Sequence, residues 1–110
     1  MDGEIMNNNL KYMQIAIKEA KKAAKRGDVP VGAVIVYKDK IYVTLEPCMM
    51  CTGAIVESRI KNIYYATKSD KYGSLNKITK KNKTKMQIDE GICKEESIDI
   101  LKNFFKEKRK

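Results

Sequence analysis

Histidine is absent from the whole chain of 110 residues. Its absence excludes every metal site, catalytic dyad and pH switch that needs an imidazole side chain. Long apolar runs are absent too, since no stretch approaches the 18 consecutive apolar residues that a membrane-spanning helix needs. Residues 1–9 carry acidic side chains and no apolar segment. We therefore expect neither a signal peptide at this end nor a membrane span elsewhere.

Cysteine is scarce, with three residues in the chain. Three cysteines without an export signal favour a reducing compartment, so we expect a cytoplasmic protein without a disulfide scaffold. Apolar residues nevertheless make up 43% of the sequence, which is enough to form a buried core. The length is that of one domain, and we expect residues 1–110 to form it.

Positive charge dominates the composition, with 23 basic residues against 14 acidic ones and a net charge of +9. This excess suits a polyanionic partner, nucleic acid above all. A biased coding composition is the competing explanation, because all but three of the basic residues are lysine and arginine is the residue that binds phosphate bidentately. Basic residues concentrate at 77–85 and 102–110. Each cluster is either a track for phosphates or a solvated surface.

The spacing of apolar residues predicts an α/β protein in which helices cover a sheet. We expect residues 1–9 to be a loose leader and residues 38–40 to be a short polar connection that can close a hairpin. Residues 67–85 are expected to be a loop with a weak helical turn near residues 75–78. Gly27 is expected to follow the first helix, and Pro47 to occupy the first position of the second. The pattern predicts helices over residues 10–26, 48–58 and 94–108, and strands over residues 31–37, 41–45, 60–66 and 86–88. Residues 31–37 are almost continuously apolar, which is typical of a strand buried on both faces, and residues 86–88 are predicted to form a short edge strand.

Cys48 and Cys51 stand three residues apart at the predicted start of a helix that follows a strand. This spacing places both sulfurs on one helix face, roughly 5–6 Å apart at Cβ. Two thiolates so placed can share a metal ion or close into a redox disulfide, and the alternative is a pair of buried cysteines that pack as small apolar side chains. Cys93, beside Ile92, is expected to be a core or half-exposed thiol rather than a third ligand.

Several segments resemble the bacterial tRNA-specific adenosine deaminases, which belong to the zinc-dependent cytidine/deoxycytidylate deaminase superfamily. Residues 28–36 (DVPVGAVIV) resemble the first strand of that family. Residues 42–55 (YVTLEPCMMCTGAI) resemble its P-C-x-x-C zinc segment. Smaller matches follow at residues 58–60 (SRI), 63–66 (IYYA), 73–76 (GSLN) and 103–106 (NFFK). The resemblance thus extends over nearly the whole chain.

The resemblance implies hydrolytic conversion of adenosine to inosine at the wobble position of a tRNA anticodon. In the family, one histidine of an H-x-E motif and two cysteines hold Zn²⁺, and the glutamate moves protons. Carried over by position, Cys48 and Cys51 become zinc ligands, and Val29 matches a position that lines the base pocket. The family is homodimeric, with a tRNA site that spans both subunits, so tRNA and a second copy are the expected partners.

One family segment has no counterpart here. In the family a strand, a pocket-lining loop and the helix with the H-x-E motif precede the Y-V-T-L-E-P-C strand, whereas residues 36–42 here run directly into it. The resemblance therefore implies a three-layer α/β/α cytidine-deaminase-like sheet that lacks one edge strand and one helix and is truncated internally near residues 38–41. We expect the lost helix to expose four apolar side chains of the sheet, which are Val34, Val36, Ile41 and Val43.

As it stands, the sequence predicts that the chain does not deaminate. Glu46 matches a family glutamate that is not the catalytic one. Two cysteines would hold zinc weakly. Binding would be stronger if the cysteine pairs of two chains formed one four-cysteine site, or if Cys93 moved to become a third ligand. The alternatives are a non-catalytic, basic RNA-binding remnant and a thiol redox protein. The gap itself has three explanations: a natural or engineered deletion, a degenerate gene product, or a longer molecule whose sequence has lost a segment.

Overall fold

Pairs of consecutive strands separate the helices in a computed structural model that describes residues 2–37, 39–69 and 87–108. The helices are α1 (Asp2–Lys25), α2 (Met49–Glu57) and α3 (Lys94–Lys108), and the strands are β1 (Ala33–Val36), β2 (Lys40–Leu45), β3 (Asn62–Thr67) and β4 (Gln87–Glu90). Every predicted element is therefore present. Within the described ranges, no helix has both the length and the apolar content to cross a membrane.

The four strands form one mixed sheet in the order β1-β2-β3-β4. β1 and β2 are antiparallel, whereas β2, β3 and β4 run parallel to one another. Val36 pairs with Lys40, so only three residues connect β1 to β2. A connection of this length closes a tight hairpin, as the sequence Lys38-Asp39-Lys40 predicted. The left-handed backbone of Tyr37, with φ of 55°, begins this turn.

Helices cover both faces of the sheet, which confirms the α/β/α arrangement of layers. α1 and α3 lie on one face, where the buried cluster consists of Met13, Ala16, Val36, Tyr42, Tyr64 and Ala66. α2 lies on the other face, where the cluster consists of Ile41, Val43, Ile55, Ile60, Ile63 and Tyr65. Successive residues of β2 and β3 alternate between these clusters because side chains along a strand point to opposite faces.

The first helix and the second both begin elsewhere than predicted. α1 starts at Asp2, so the expectation of a loose leader over residues 1–9 is wrong. Asn9 is part of this helix and accepts a hydrogen bond from the hydroxyl of Tyr42, a partner 33 residues away that local sequence does not reveal. In α2, Cys48 is the N-cap and Met49 the first helical residue. Pro47 therefore precedes the helix instead of opening it.

The environment of β1 also differs from the prediction. β1 is an edge strand, and only its α1 side is covered, so it is not buried on both faces. Val36 packs in the cluster under α1, and Val34 lies against that cluster. Ile35, on the opposite side of the strand, is 60% exposed. Of the four residues expected to be exposed, Ile41 and Val43 are buried as well, because α2 reaches across β2 and β3.

Several predicted features lie outside the described residues. They are the loop at residues 73–76, the weak helical turn near residues 75–78 and the lysine cluster at residues 77–85. The other predicted boundaries agree with the structure to within about two residues, which is the usual uncertainty of helix and strand ends. Gly27 has a φ of 86° just after α1, as the C-terminal glycine signal predicted.

Gly32 lets α1 approach the start of β1 at backbone distance. Its amide donates to Oγ1 of Thr44 (3.0 Å), and its carbonyl accepts from the amide of Thr44 (3.0 Å). A Cβ at this position would lie 1.9 Å from the carbonyl oxygen of Ala16 and 2.7 Å from the amide nitrogen of Ala20. Both are helix backbone atoms, so neither can turn aside as a flexible side chain would.

Replacing Gly32→Ala is therefore expected to lower the free energy of unfolding by about 3 kcal/mol or more, because α1 must move away from the sheet. Gly53→Ala is the matched control, since Gly53 lies in α2 with no atom within 4 Å of its added Cβ. It should instead stabilise the protein by about 0.5–1 kcal/mol, the helix preference of alanine over glycine. Urea unfolding of the two variants checks this. Equal effects would contradict the close approach of α1.

Three tyrosine rings pack together under α1. The rings of Tyr42 and Tyr64 are stacked at 4.6 Å between centroids, and Tyr12 meets Tyr42 at 5.4 Å. Burial, followed by the proximity of Tyr64 and Tyr12, raises the pKa of Tyr42 to about 12. The folded state thus disfavours the ionised phenol, whose pKa in an unfolded chain is about 10.

This shift predicts that stability is fully present below about pH 10 and is lost as the pH rises through about 12. Tyr42→Phe should be less stable than the parent chain at pH 8, because it lacks the hydrogen bond to Asn9. Its stability should then fall less steeply between pH 10 and 12. Chemical denaturation at a series of pH values measures both slopes, and parallel curves would refute the assignment to Tyr42.

Candidate metal-binding site

The end of β2 delivers a cysteine pair to the first turn of α2. After Leu45 the chain passes through Glu46 and Pro47, which belong to neither strand nor helix, and the backbone of Cys48 is extended (φ −74°, ψ 178°). The carbonyl of Cys48 accepts the amide hydrogen bond of Thr52 (2.8 Å), which starts the helix. The hydroxyl of Thr52 donates to the carbonyl of Pro47 (3.2 Å) and fixes the turn.

The two thiols face each other, as their spacing predicted. Cys51 is exposed and Cys48 is half-buried. Burial, then a hydrogen bond with the Cys48 side chain and the proximity of its charge, raise the pKa of the Cys51 thiol. A free Cys51 thiol is therefore protonated at neutral pH. A metal cation that binds the pair would have to displace protons to do so.

Cys93 does not join this pair. It lies just before α3, packs against the cluster under α1, and accepts a hydrogen bond from the side-chain amide of Gln14 (3.3 Å). Cys48 and Cys51 lie on the α2 side, so the sheet separates the third thiol from the first two. In the part of the chain that the structure describes, no three residues among His, Cys, Asp and Glu are placed to hold one metal ion.

An open apolar groove of about 620 Å³ adjoins the cysteine pair. It lies over the part of the sheet that α2 leaves uncovered, between β1, β2 and the exposed side of α2. Its walls are formed by Val31, Ala33, Ile41, Val43, Leu45, Glu46, Pro47, Cys48, Cys51, Ala54, Ile55 and Ser69. Sequence reasoning did not find this groove. The two strands are apolar along most of their length, so Ala33, Ile41 and Val43 are recognised as one face only once the strand register is known.

Glu46 is the charged residue of this groove, and its side chain is only 6% exposed. Its carboxylate accepts a hydrogen bond from the backbone amide of Ser69 (3.1 Å). Its own amide donates to the carbonyl of Thr67 (2.8 Å). Both contacts tie the end of β2 to the end of β3. Glu46 therefore holds two strand ends together at the groove wall.

Val29 is separate from the groove. It lies in the turn before β1, where its side chain is 52% exposed. The neighbouring Val31 lines the groove, but Val29 does not. The structure thus brings Cys48 and Cys51 together and leaves Val29 outside the walls of the cavity beside them.

Known proteins resemble this chain in sequence and in fold. A family model described as MafB19-like deaminase matches residues 39–109. The tRNA-specific adenosine deaminase of Buchnera aphidicola subsp. Schizaphis graminum is 33% identical over 148 positions, which cover 94% of this chain and 97% of that protein. The Bacillus subtilis protein of the same name is 31% identical over 144 positions, covering 90% and 89%. The chain belongs to the tRNA-specific adenosine deaminase family.

Solved structures agree with this family assignment. One, from a study of A-to-I editing by tRNA:A34 deaminases, superimposes with a TM-score of 0.76 at 25% identity over 83% of this chain and 99% of that one. A Thermotoga maritima diaminohydroxyphosphoribosylaminopyrimidine deaminase/reductase also gives 0.76, at 26% identity over 91% of this chain and 41% of that one. The α/β deaminase fold expected from the sequence is therefore confirmed.

The alignments to the family are longer than the chain itself. They extend over 148 and 144 positions, whereas the chain has 110 residues. At least 38 positions (148 − 110) and 34 positions (144 − 110) of these alignments therefore have no residue in this chain. The relatives are longer within the aligned region, by about the length of a strand and a helix with their connections.

Proposed function

We propose that this chain is a tRNA adenosine deaminase homologue that keeps the fold of the family but does not catalyse deamination. The observation that carries the proposal is the absence of histidine from all 110 residues. The chemistry expected of the family needs a zinc-activated water and a carboxylate that moves protons. The chain supplies two thiols towards the metal and no imidazole.

We infer that the gap in the alignments falls at the hairpin between β1 and β2. Only three residues connect these strands, and the family model begins to match at residue 39, within this connection. The family segment expected between them contains the H-x-E motif. We propose that this is the block of at least 38 positions without a counterpart, so that the domain is truncated near residues 38–41.

The residues present do not suit a catalytic zinc centre. Such a centre has three protein ligands and one open position for water. Cys48 and Cys51 are two ligands, and Cys93 lies across the sheet. Zinc is still the expected metal of the cysteine pair, because thiolates are its preferred soft ligands. With two ligands it would bind weakly and would not be held for reaction.

Glu46 does not supply the missing proton transfer. Its carboxylate lies in the groove near the cysteine pair, but it is engaged with the backbone amide of Ser69. It also connects the ends of β2 and β3, so a reorientation towards a substrate would break that connection.

The proposal predicts no inosine when the 110-residue chain is incubated with tRNA and excess zinc. Losing the proton-transferring carboxylate alone costs about 10²–10⁴-fold in rate, and losing the third metal ligand costs more. Mass spectrometry of the digested nucleosides measures the product, with the Bacillus subtilis relative as the positive control. Turnover within tenfold of that relative, about 1.4 kcal/mol in barrier, would refute the proposal.

A second function, RNA binding without catalysis, is favoured by the last turns of α3. Lys102 and Lys106 are exposed there, and Phe105 beside them is 43% exposed. Together with Leu101 they form a shallow surface depression. An exposed aromatic ring between cations suits a nucleic acid, since the ring stacks on a base while the cations contact phosphates. Transfer RNA is the ligand that the family relationship suggests.

Binding of tRNA should then weaken steeply with salt, because each phosphate contact releases counterions. Lys106→Ala should weaken binding and lower the slope of log affinity against log salt by about 1. Lys61→Ala, which removes the same charge from an exposed site just before β3, should change the slope little. Fluorescence anisotropy at several salt concentrations tests this. If both variants lowered the slope equally, binding would depend on net charge alone, and the surface at the end of α3 would not be the binding site.

We also propose that the protein is a single cytoplasmic domain that binds no membrane. The low number of cysteines and the relationship to the tRNA-specific adenosine deaminases support this location. Val29 stays a predicted pocket residue. The redox alternative stays a prediction too, although the deaminase fold supports the first proposal rather than a thioredoxin-like neighbourhood around the cysteine pair.

A further inference from the structure

The outer edge of β1 carries no further strand in the part of the chain that the structure describes. β1 is the first strand of the sheet and pairs with β2 on its inner side. The carbonyl of Gly32 accepts the amide hydrogen bond of Thr44, so Gly32 faces β2. Successive residues of an antiparallel pair alternate between facing the partner and facing away from it. Ala33 and Ile35 therefore direct their backbone N–H and C=O groups towards the outer edge.

This edge is continuous with the apolar groove. Ala33 lines the groove, and Ile35, the next residue on the same face of the strand, is 60% exposed. A polypeptide strand that paired with the outer edge would place every second side chain beside these two. Its backbone would satisfy their outward N–H and C=O groups, and its apolar side chains would extend the groove wall. Open sheet edges bind extended polypeptides in this way.

The relatives indicate what fits this edge. At least 38 of the aligned positions (148 − 110) have no residue in this chain, and the gap is inferred to fall between β1 and β2. Because β2 already occupies the inner side of β1, a strand of the absent block can pair with β1 only at its outer edge. Because α1 approaches the opposite face at backbone distance, a helix of that block can pack only on the groove face.

We propose that the outer edge of β1 and the adjoining groove bind a separate polypeptide that carries this block, with one of its strands paired to β1. The length agrees, since 38 positions accommodate a strand of about 6 residues and a helix of about 12 with their connections. The inference rests on the proposed position of the gap. It requires no metal ion.

The binding test uses the full chain and a synthetic polypeptide with the sequence of the block from the Bacillus subtilis relative. EDTA is present throughout, so that no metal ion contributes to binding. We expect saturable binding of one polypeptide per chain, measured by fluorescence anisotropy. A polypeptide of the same composition in scrambled order is the control and should not bind.

Amide exchange, followed by NMR, shows whether the polypeptide pairs with β1. Exchange at Ala33 and Ile35 should slow by about tenfold or more on binding, because these amides gain a hydrogen bond. The amide of Val34 faces β2, where Val34 pairs with Tyr42, so its exchange should change less. This alternation along β1 is the signature of a strand added at the outer edge.

Two substitutions at one position separate backbone pairing from apolar contact. Ile35→Pro removes an outward N–H and no hydrogen bond to β2, which is the setting in which an edge strand tolerates proline. It should weaken binding by about tenfold or more. Ile35→Val is the matched control, because it keeps the N–H and loses only one methylene, and its affinity should stay within about fivefold of the parent chain.

The following results would overturn the inference. They are no saturable binding, exchange that slows equally at Ala33, Val34 and Ile35 or at Val34 alone, and equal affinities of Ile35→Pro and Ile35→Val. Self-association that protects Ala33 and Ile35 without the polypeptide would also overturn it and would assign the edge to a second copy. The exchange measurement uses the unsubstituted chain, so its result is independent of whether a variant folds.

The proposed function and the docking edge fail on different readouts. Inosine formation by the 110-residue chain alone would refute the proposed lack of catalysis. Absence of binding in EDTA would refute the docking edge and would leave the proposed lack of catalysis standing.

Discussion

The antiparallel pairing of β1 with β2 is the constraint from which the rest of the account follows. Because Val36 pairs with Lys40, the strands are joined within three residues, and a strand and helix cannot lie between them. The sheet tolerates this short connection because the two strands are neighbours. On the α2 side the sheet is only partly covered, because β1 lies beyond the reach of α2. The open groove beside Cys48 and Cys51 lies on this side.

The two faces of the sheet accordingly differ in how well they are covered. Under α1, backbone contact at Gly32 and the stack of Tyr42 on Tyr64 fill the space closely. Above the other face, the short helix α2 covers β2 and β3 and leaves β1 open. Dense packing on one side explains how the family fold persists. On the open side, the apolar walls of the groove remain exposed to solvent.

The sequence was sufficient for elements whose signals are local. The run of β-forming residues at 41–45 predicted strand β2, and Gly27 predicted the end of α1. The spacing of Cys48 and Cys51 predicted that the two thiols lie close together. It was insufficient where a distant partner decides. The sequence predicts Asn9 at the end of a leader, yet it lies within α1, where its side chain accepts a hydrogen bond from Tyr42. The groove could not be predicted, because the sequence does not show which face of β1 a helix covers.

The most direct measurement of the central claim is inosine formation by a chimera. The block of the Bacillus subtilis relative that has no counterpart here would replace Lys38 between β1 and β2. We predict that the zinc-loaded chimera converts tRNA adenosine to inosine, because the inserted block is the one expected to carry the histidine and the glutamate, while the parent chain forms none. A parent chain as active as the chimera, or a folded, zinc-loaded chimera that forms no inosine, would contradict it.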